Sequence, residues 1–299
     1  MTLFKTKEGK IFWDAKWLQP LSDPPDGLPL CRDSDLELMA SSVQDVFRTG
    51  QGRNLFIYGK PGTGKTVCAQ YLLREILNHA NETKASVLTA YVNAGKTRTP
   101  YYSMLELVRQ LGLTVPDSGW QISRLKAAFE NVLKDKSVVI AIDEVESILF
   151  KEKEPLVYYL NRQPKTTLIL ISNKLGHVTQ LPERCLSTLQ PSTINLEPYT
   201  KAEAYKILKA RAEHAFKPDV ISDELLGTIA KATSDMTDIR LGLSMLLTAG
   251  LSAERAGRVE INLKDVEWAI KGAQRIKDLT KIDVLRKRIK ERLGKTIDF

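Results

Sequence analysis

Short apolar runs alternate with helical patterns along the first two thirds of the chain. Strand-like runs fall at 55–58, 86–92, 138–142, 167–171 and 192–196. The intervals carry apolar residues at helical spacing, as from Asp33 to Phe47 through Leu36, Leu38, Met39, Val43 and Val46. Strands alternating with helices imply right-handed crossovers. The pattern therefore predicts an α/β fold: a five-stranded, mainly parallel sheet with helices on both faces. Val138-Val139-Ile140-Ala141-Ile142 has no polar alternation and fits a strand buried on both sides. After Leu196 the strand pattern stops. Thr200-Lys201-Ala202-Glu203 has the spacing of a capping box, and helical patterns follow it through 225–232, 239–256, 263–276 and 282–293. The expected organisation is an α/β domain over 1–198, a helical domain over 199–278 and a basic helical tail over 279–299. The first domain would include an N-terminal segment, 1–32, broken at Asp23-Pro24-Pro25-Asp26-Gly27.

Candidate chemistry begins where the first strand ends. Gly59-Lys60-Pro61-Gly62-Thr63-Gly64-Lys65-Thr66 fits the phosphate-cradling pattern G-x-x-x-x-G-K-[ST] at every fixed position, and Val67 opens a helical pattern behind it. Glycines let backbone N–H groups converge on phosphate oxygens, and a helix N-terminus adds partial positive charge. In that setting Lys65 reaches the β- and γ-phosphates and the Thr66 hydroxyl holds Mg²⁺. The stretch from Gly59 to Val67 is thus the expected nucleotide site. The third strand ends in Asp143-Glu144-Val145-Glu146. Asp143 would act on Mg²⁺ and Glu144 would polarise an attacking water. The fourth strand ends in Ser172-Asn173, whose amide would sit beside those carboxylates; a turn or helix-cap asparagine explains the same residue.

Composition narrows this picture without redirecting it. The 299 residues suffice for one large or two modest domains. No apolar run reaches the roughly 18 residues of a membrane span, and residues 1–7 do not read as a signal segment. A soluble, cytoplasmic protein with no membrane partner is expected. Cys31, Cys68 and Cys185 are odd in number and far apart, against a disulfide framework, and His79, His177 and His214 have no zinc-ligand spacing with them. The net charge is +8, and between Lys271 and Lys295 ten Lys or Arg face three acids, so seven of the eight net charges lie there. The basic footprint belongs to the C-terminal tail rather than to the whole chain.

Taken together these residues resemble the AAA+ ATPases. Several segments narrow the resemblance to the replication initiators, the archaeal and eukaryotic proteins related to the large origin-recognition subunit and its partner helicase loader. They are 54–66, 91–93, 98–101, 143–146, 197–200 with 207–211, Thr237-Asp238-Ile239-Arg240, 245–250, and Asp265-Val266 with Ala269, covering about residues 11 to 270. The resemblance implies an AAA+ fold with a helical lid, and ATP or ADP with Mg²⁺ between the two domains. ATP over GTP rests on the resemblance alone. It implies that Asn173 is the first sensor and Arg240 the second, contacting the γ-phosphate from the lid. Arg184, in Leu181-Pro182-Glu183-Arg184-Cys185, falls where the family has an arginine finger toward a neighbouring subunit's nucleotide; a surface salt-bridge role stays open. Arg32 matches an arginine close to the adenosine.

The same resemblance implies a DNA-backbone contact in the helical insertion after the second strand, residues 95–102. There Lys96 and Arg98, near aromatic residues, suit phosphates, although a solvated loop accounts for them too. Two departures from the family stand out. Thr237 occupies a position where the family usually has glycine, and the sequence stops soon after the lid, where the family normally continues into a winged-helix domain. In the tail, Ile282, Leu285, Ile289 and Leu293 share one face, with Arg286, Lys287, Arg288, Lys290 and Arg292 around it. A DNA contact, a partner-docking helix, a link to a further domain and a solvated helix packed on the lid all fit.

The expected function is an ATP-dependent molecular switch in replication initiation. It would bind double-stranded DNA, recruit or load a replicative helicase or another replication or recombination protein, and self-associate with ATP. Hydrolysis would be slow in the monomer, since Arg184 would come from a neighbour. Two alternatives stay open: a mobile-element AAA+ regulator assembling on DNA, and a nucleotide-dependent protein-binding module that scarcely hydrolyses ATP.

Overall fold

The computed structural model describes residues 9–20, 22–149, 155–179 and 181–293, and only the backbone of 26, 178 and 280–293. These residues form two compact units. One is Gly27–Glu197; the other joins the described residues before Gly27 to those after Glu197.

The first unit is built on five strands: β1 (Leu55–Tyr58), β2 (Val87–Asn93), β3 (Ser137–Asp143), β4 (Thr166–Ser172) and β5 (Ser192–Asn195). Their order is β2-β3-β4-β1-β5 and every pairing is parallel, as the alternating pattern requires. Side chains alternate across the sheet, so each strand feeds two cores. Phe56, Val138, Ile140, Ile142, Leu168 and Leu170 pack on one face with the helices Pro100–Gln110 and Ile122–Asp135. Leu55, Ile57, Val139, Ala141, Ile169 and Ile171 pack on the other with Cys68, Ala69, Leu72, Leu73 and Ile76 of the helix Lys65–Thr83. Every position of β3 and β4 is buried, which explains their unbroken apolar runs. Each such Ile or Leu contributes about 1.5–3 kcal/mol by leaving water.

Asn54 holds the start of β1 in register. Its amide nitrogen donates to Asn161 Oδ1 (2.6 Å) and to the Leu189 carbonyl (2.9 Å), while its oxygen accepts from Leu168 N (2.9 Å). A buried amide with all these bonds made costs little, and the same amide left unpaired costs about 1–3 kcal/mol.

The second unit is helical: Lys201–Ala215, Asp223–Met236, Ile239–Arg255 and Leu263–Leu293. The capping box forms as the spacing predicts, with Thr200 Oγ1 accepting from Glu203 N (3.3 Å) and Glu203 Oε2 accepting from Thr200 N (2.8 Å). The last two helical patterns are one continuous helix, with no break at 279.

A larger difference concerns the N-terminal segment, expected with the α/β domain. Residues 9–26 belong instead to the helical unit. Ile11 and Leu18 are fully buried beside Leu208, Ala212, Ala215, Phe216 and Leu246. Lys217 N donates to the Ile11 carbonyl (2.9 Å) and Trp13 N to that of Ala215 (2.8 Å). The buried Arg211 guanidinium clamps the segment, donating to the Trp17 (3.3 Å), Ser22 (2.8 Å) and Asp23 (2.5 Å) carbonyls and to Ser22 Oγ (3.2 Å). The segment lacks periodicity because it packs through isolated side chains and backbone bonds, so its address could not be read from spacing. Gly250 records it: a Cβ there would lie 2.5 Å from the Phe12 ring and 2.8 Å from that of Phe216.

Asp265 caps this unit's last helix from within. Its carboxylate accepts from Arg258 Nη1 (2.6 Å) and Nη2 (2.7 Å), Ser252 Oγ (2.6 Å) and Asn262 N (3.0 Å). The Arg258 contact, aided by Ser252 and the Asn262 amide and opposed by burial, holds its pKa at about 2.

Candidate nucleotide-binding site

The glycine loop leaves β1 and runs into the helix Lys65–Thr83. Gly62 and Gly64 have φ of 77° and 88°, and Gly59 has φ of 152° with a Cβ there set to collide with the Leu196 carbonyl. Residues with side chains adopt these angles at a cost, which is why the loop needs glycine. Thr63 Oγ1 closes the turn on the Lys60 carbonyl (2.9 Å). Lys65 Nζ is folded into the loop and donates to the carbonyls of Gly59 (2.7 Å) and Lys60 (2.8 Å). Lys60 and Pro61 form the exposed rim, while Val67 lies in the first helical turn.

Behind the loop sits Arg32, 7% exposed. It donates to the Thr63 (2.9 Å) and Glu197 (2.5 Å) carbonyls and pairs with Asp35 (3.1 Å). It thus holds loop backbone from the rear. Cys68, one turn into the helix, is also buried; loss of solvation pushes its thiol up to about 12, so it stays a neutral packing residue.

Three elements converge on Asp143, which is 5% exposed. Thr66 Oγ1 and Tyr91 OH donate to its Oδ2 at 2.6 and 2.8 Å, and Glu144 N donates to its Oδ1 at 2.8 Å. Burial first, and the Asp143 charge next, push the Tyr91 phenol well above its ordinary pKa, so it remains a donor. Glu144 has φ of 51° and turns the chain out of β3. Its carboxylate lies over Gly95, where any Cβ would strike it, beside Asn93. A hydroxyl touching a carboxylate at the mouth of a glycine loop is a donor set suited to a hard divalent cation, and Lys65 beside it suits phosphate. The residues therefore fit a magnesium nucleotide.

The other expected residues lie on other elements. Asn173 is exposed just past β4. Its neighbour Ser172 shares a 2.7 Å hydrogen bond with His177 Nδ1, which lies 3.8 Å from Glu146. Arg184, exposed on the helix Glu183–Leu189, lies over the Tyr158 ring with its Cζ 5.4 Å from the centroid. Lys96, in the short helix Ala94–Thr97, and Arg98, its C-cap ahead of the helix Pro100–Gln110, are both exposed. Arg240 belongs to the helical unit, where Nε and Nη2 grip both Asp238 oxygens at 3.0 and 2.7 Å. Thr237, the departure from glycine, has φ of 57°, the left-handed angle that glycine takes freely. The side chains of Arg286, Lys287, Arg288 and Lys290 lie outside the described residues.

Tyr91, Asn93 and His177 had no role assigned from the sequence. Tyr91-Val92-Asn93 ends a strand at its C-terminal edge, the edge where such sheets bind ligands, and that was the available signal. His177 carried none.

Sheet order, glycine loop and strand-end carboxylate define an AAA+ nucleotide-binding module. A family model for an AAA domain matches residues 48–174, and one for a Cdc6 AAA+ ATPase-type lid domain matches 205–271. The ORC1-type DNA replication protein 1 of Sulfurisphaera tokodaii is 30% identical over 276 residues, covering 89% of this chain and 68% of that protein. The ORC1-type DNA replication protein of Pyrococcus horikoshii is 30% identical over 273 residues, covering 87% and 65%. Among solved structures, the Aeropyrum pernix ORC1 protein in complex with DNA superposes with a TM-score of 0.78 at 27% identity, over 95% of this chain and 73% of that one. The Aeropyrum pernix ORC2 protein with ADPNP and ADP shares the fold, with a TM-score of 0.77 at 22% identity over 88% and 73%. The chain belongs to the Orc1/Cdc6-type family of AAA+ proteins. It spans about two thirds of the length of the curated relatives it matches.

Proposed function

We propose that the chain is an ATP-dependent, DNA-binding switch in the initiation of DNA replication, acting at origins and recruiting or loading a helicase. The observation that carries this reading is the Thr66–Asp143 contact beside the Lys65 loop, in a chain whose family acts in replication. In this reading ATP binds through Gly59–Val67, Thr66 and Asp143 hold Mg²⁺, and bound Mg²⁺ supplies charge neutralisation at the phosphates. Lys65 then leaves its carbonyl partners for the β- and γ-phosphates. Glu144 leaves Gly95 to polarise a water, with Asn173 orienting it. Arg240 senses the γ-phosphate from the lid and Arg184 acts on a neighbour's nucleotide, so hydrolysis depends on self-association. Lys96, Arg98 and the basic residues 286–290 supply phosphate contacts on duplex DNA.

The family and its DNA-bound relative support DNA and replication proteins as partners. Among the described residues no helix is long and apolar enough to cross a membrane. The test is DNA binding by fluorescence anisotropy with ATP or ADP across a salt series. ATP-sensitive binding is expected, and each phosphate contact removed by substitution should flatten the salt slope by about 0.9. Glu144→Gln should retain ATP binding and lose hydrolysis. ATP-indifferent DNA binding, together with unchanged turnover in Glu144→Gln, would overturn the proposal.

A further inference from the structure

The proposed metal site rests on Asp143, and one residue beside it has no part in the phosphate-binding pattern. Tyr91 lies on β2, whose register sets Tyr91 opposite Ala141 and Asn93 opposite Asp143. Ala141 and Asp143, two apart, share a face of the sheet. Tyr91 is therefore the diagonal neighbour of Asp143, and an aromatic side chain spans that diagonal. Its hydroxyl reaches Asp143 Oδ2 at 2.8 Å, the oxygen that Thr66 reaches at 2.6 Å. The two donors come from different elements, a helix N-terminus and a neighbouring strand, and the Glu144 amide fixes Oδ1.

We propose that Tyr91 is a positioning residue for the divalent cation, holding the Asp143 carboxylate in the rotamer that meets Thr66. This rests on the nucleotide-binding reading above. The Thr66 hydroxyl keeps its proton on Oδ2 while its own oxygen turns to a cation. Thr66 is thus common to the metal site and to the carboxylate. Tyr91 reaches the carboxylate from a strand whose position the whole sheet determines. Its bond fixes the carboxylate plane before the cation arrives, so binding need not order that side chain. Outer hydrogen bonds of this kind are typically worth 10–100-fold in metal affinity.

Tyr91→Phe removes one oxygen and keeps the ring. The probe is Mg²⁺ titrated into the protein with a fluorescent ADP analogue, alongside nucleotide binding in chelator and thermal unfolding. The expected result is a rise of about tenfold in the Mg²⁺ midpoint. Metal-free nucleotide affinity should stay within roughly twofold, because no tyrosine atom takes part in the phosphate loop. An unchanged Mg²⁺ midpoint would overturn the assignment. So would an equal loss of affinity with and without metal, which would mark Tyr91 as packing that supports the loop. Mg²⁺-insensitive nucleotide binding by the wild-type protein would instead remove the metal site on which this inference rests, and absence of nucleotide binding would remove the nucleotide-switch reading itself. Thr66→Val, measured in parallel, should raise the midpoint in its own right.

Discussion

Asp265 offers a stability test whose size and pH dependence both follow from its geometry. It is 3% exposed and accepts four hydrogen bonds, two of them from Arg258. Its pKa is lowered from 3.8 to about 2. A depressed carboxylate stabilises the folded state above its unfolded pKa and loses that contribution as pH falls through the folded value. The contribution near neutrality is about 2 kcal/mol, and about half of it remains at pH 3. Asp265→Asn keeps the shape and removes the charge. Urea unfolding of both proteins, followed by circular dichroism from pH 7 to pH 3, isolates the group, because the other carboxylates are common to both. The expected difference is about 2 kcal/mol at pH 7, narrowing to about 1 at pH 3. A difference that stays constant across the range would refute the electrostatic origin and leave packing as its cause.

Three further outcomes follow from backbone and packing geometry. Thr237→Gly should stabilise the helical unit by about 1 kcal/mol, read from the urea midpoint, because the native φ of 57° strains a β-branched residue. Gly250→Ala should cost on the order of 1–3 kcal/mol and speed proteolysis within residues 9–26, since its methyl group would press on the Phe12 and Phe216 rings. Gly59→Ala should weaken nucleotide binding measured by fluorescence, since its Cβ would displace the loop from the Leu196 carbonyl at a φ of 152°. Wild-type affinity in that variant would show that the loop tolerates the shift.

Much of the molecule was legible before folding was considered. The parallel sheet follows from apolar runs such as 138–142, because a strand buried on both faces has no polar position to spare. The capping box and the glycine loop are equally local: Thr200 and Glu203 are one helical turn apart, and the loop's angles belong to its own residues. What depends on distant pairing could not be read this way. Asp143 ends its strand by sequence, but the tyrosine that reaches it sits 52 positions earlier and is set there by the β2–β3 register. The segment 9–26 has no period. Its place in the helical unit comes from Arg211, nearly two hundred residues on, and from the space left by Gly250. Sequence alone determined the strands, the phosphate loop and the strand-end carboxylate, since each is written in neighbouring residues. Tertiary structure decided which side chains surround that carboxylate and where the N-terminal segment packs, because hydrogen bonds and burial depend on distance in space.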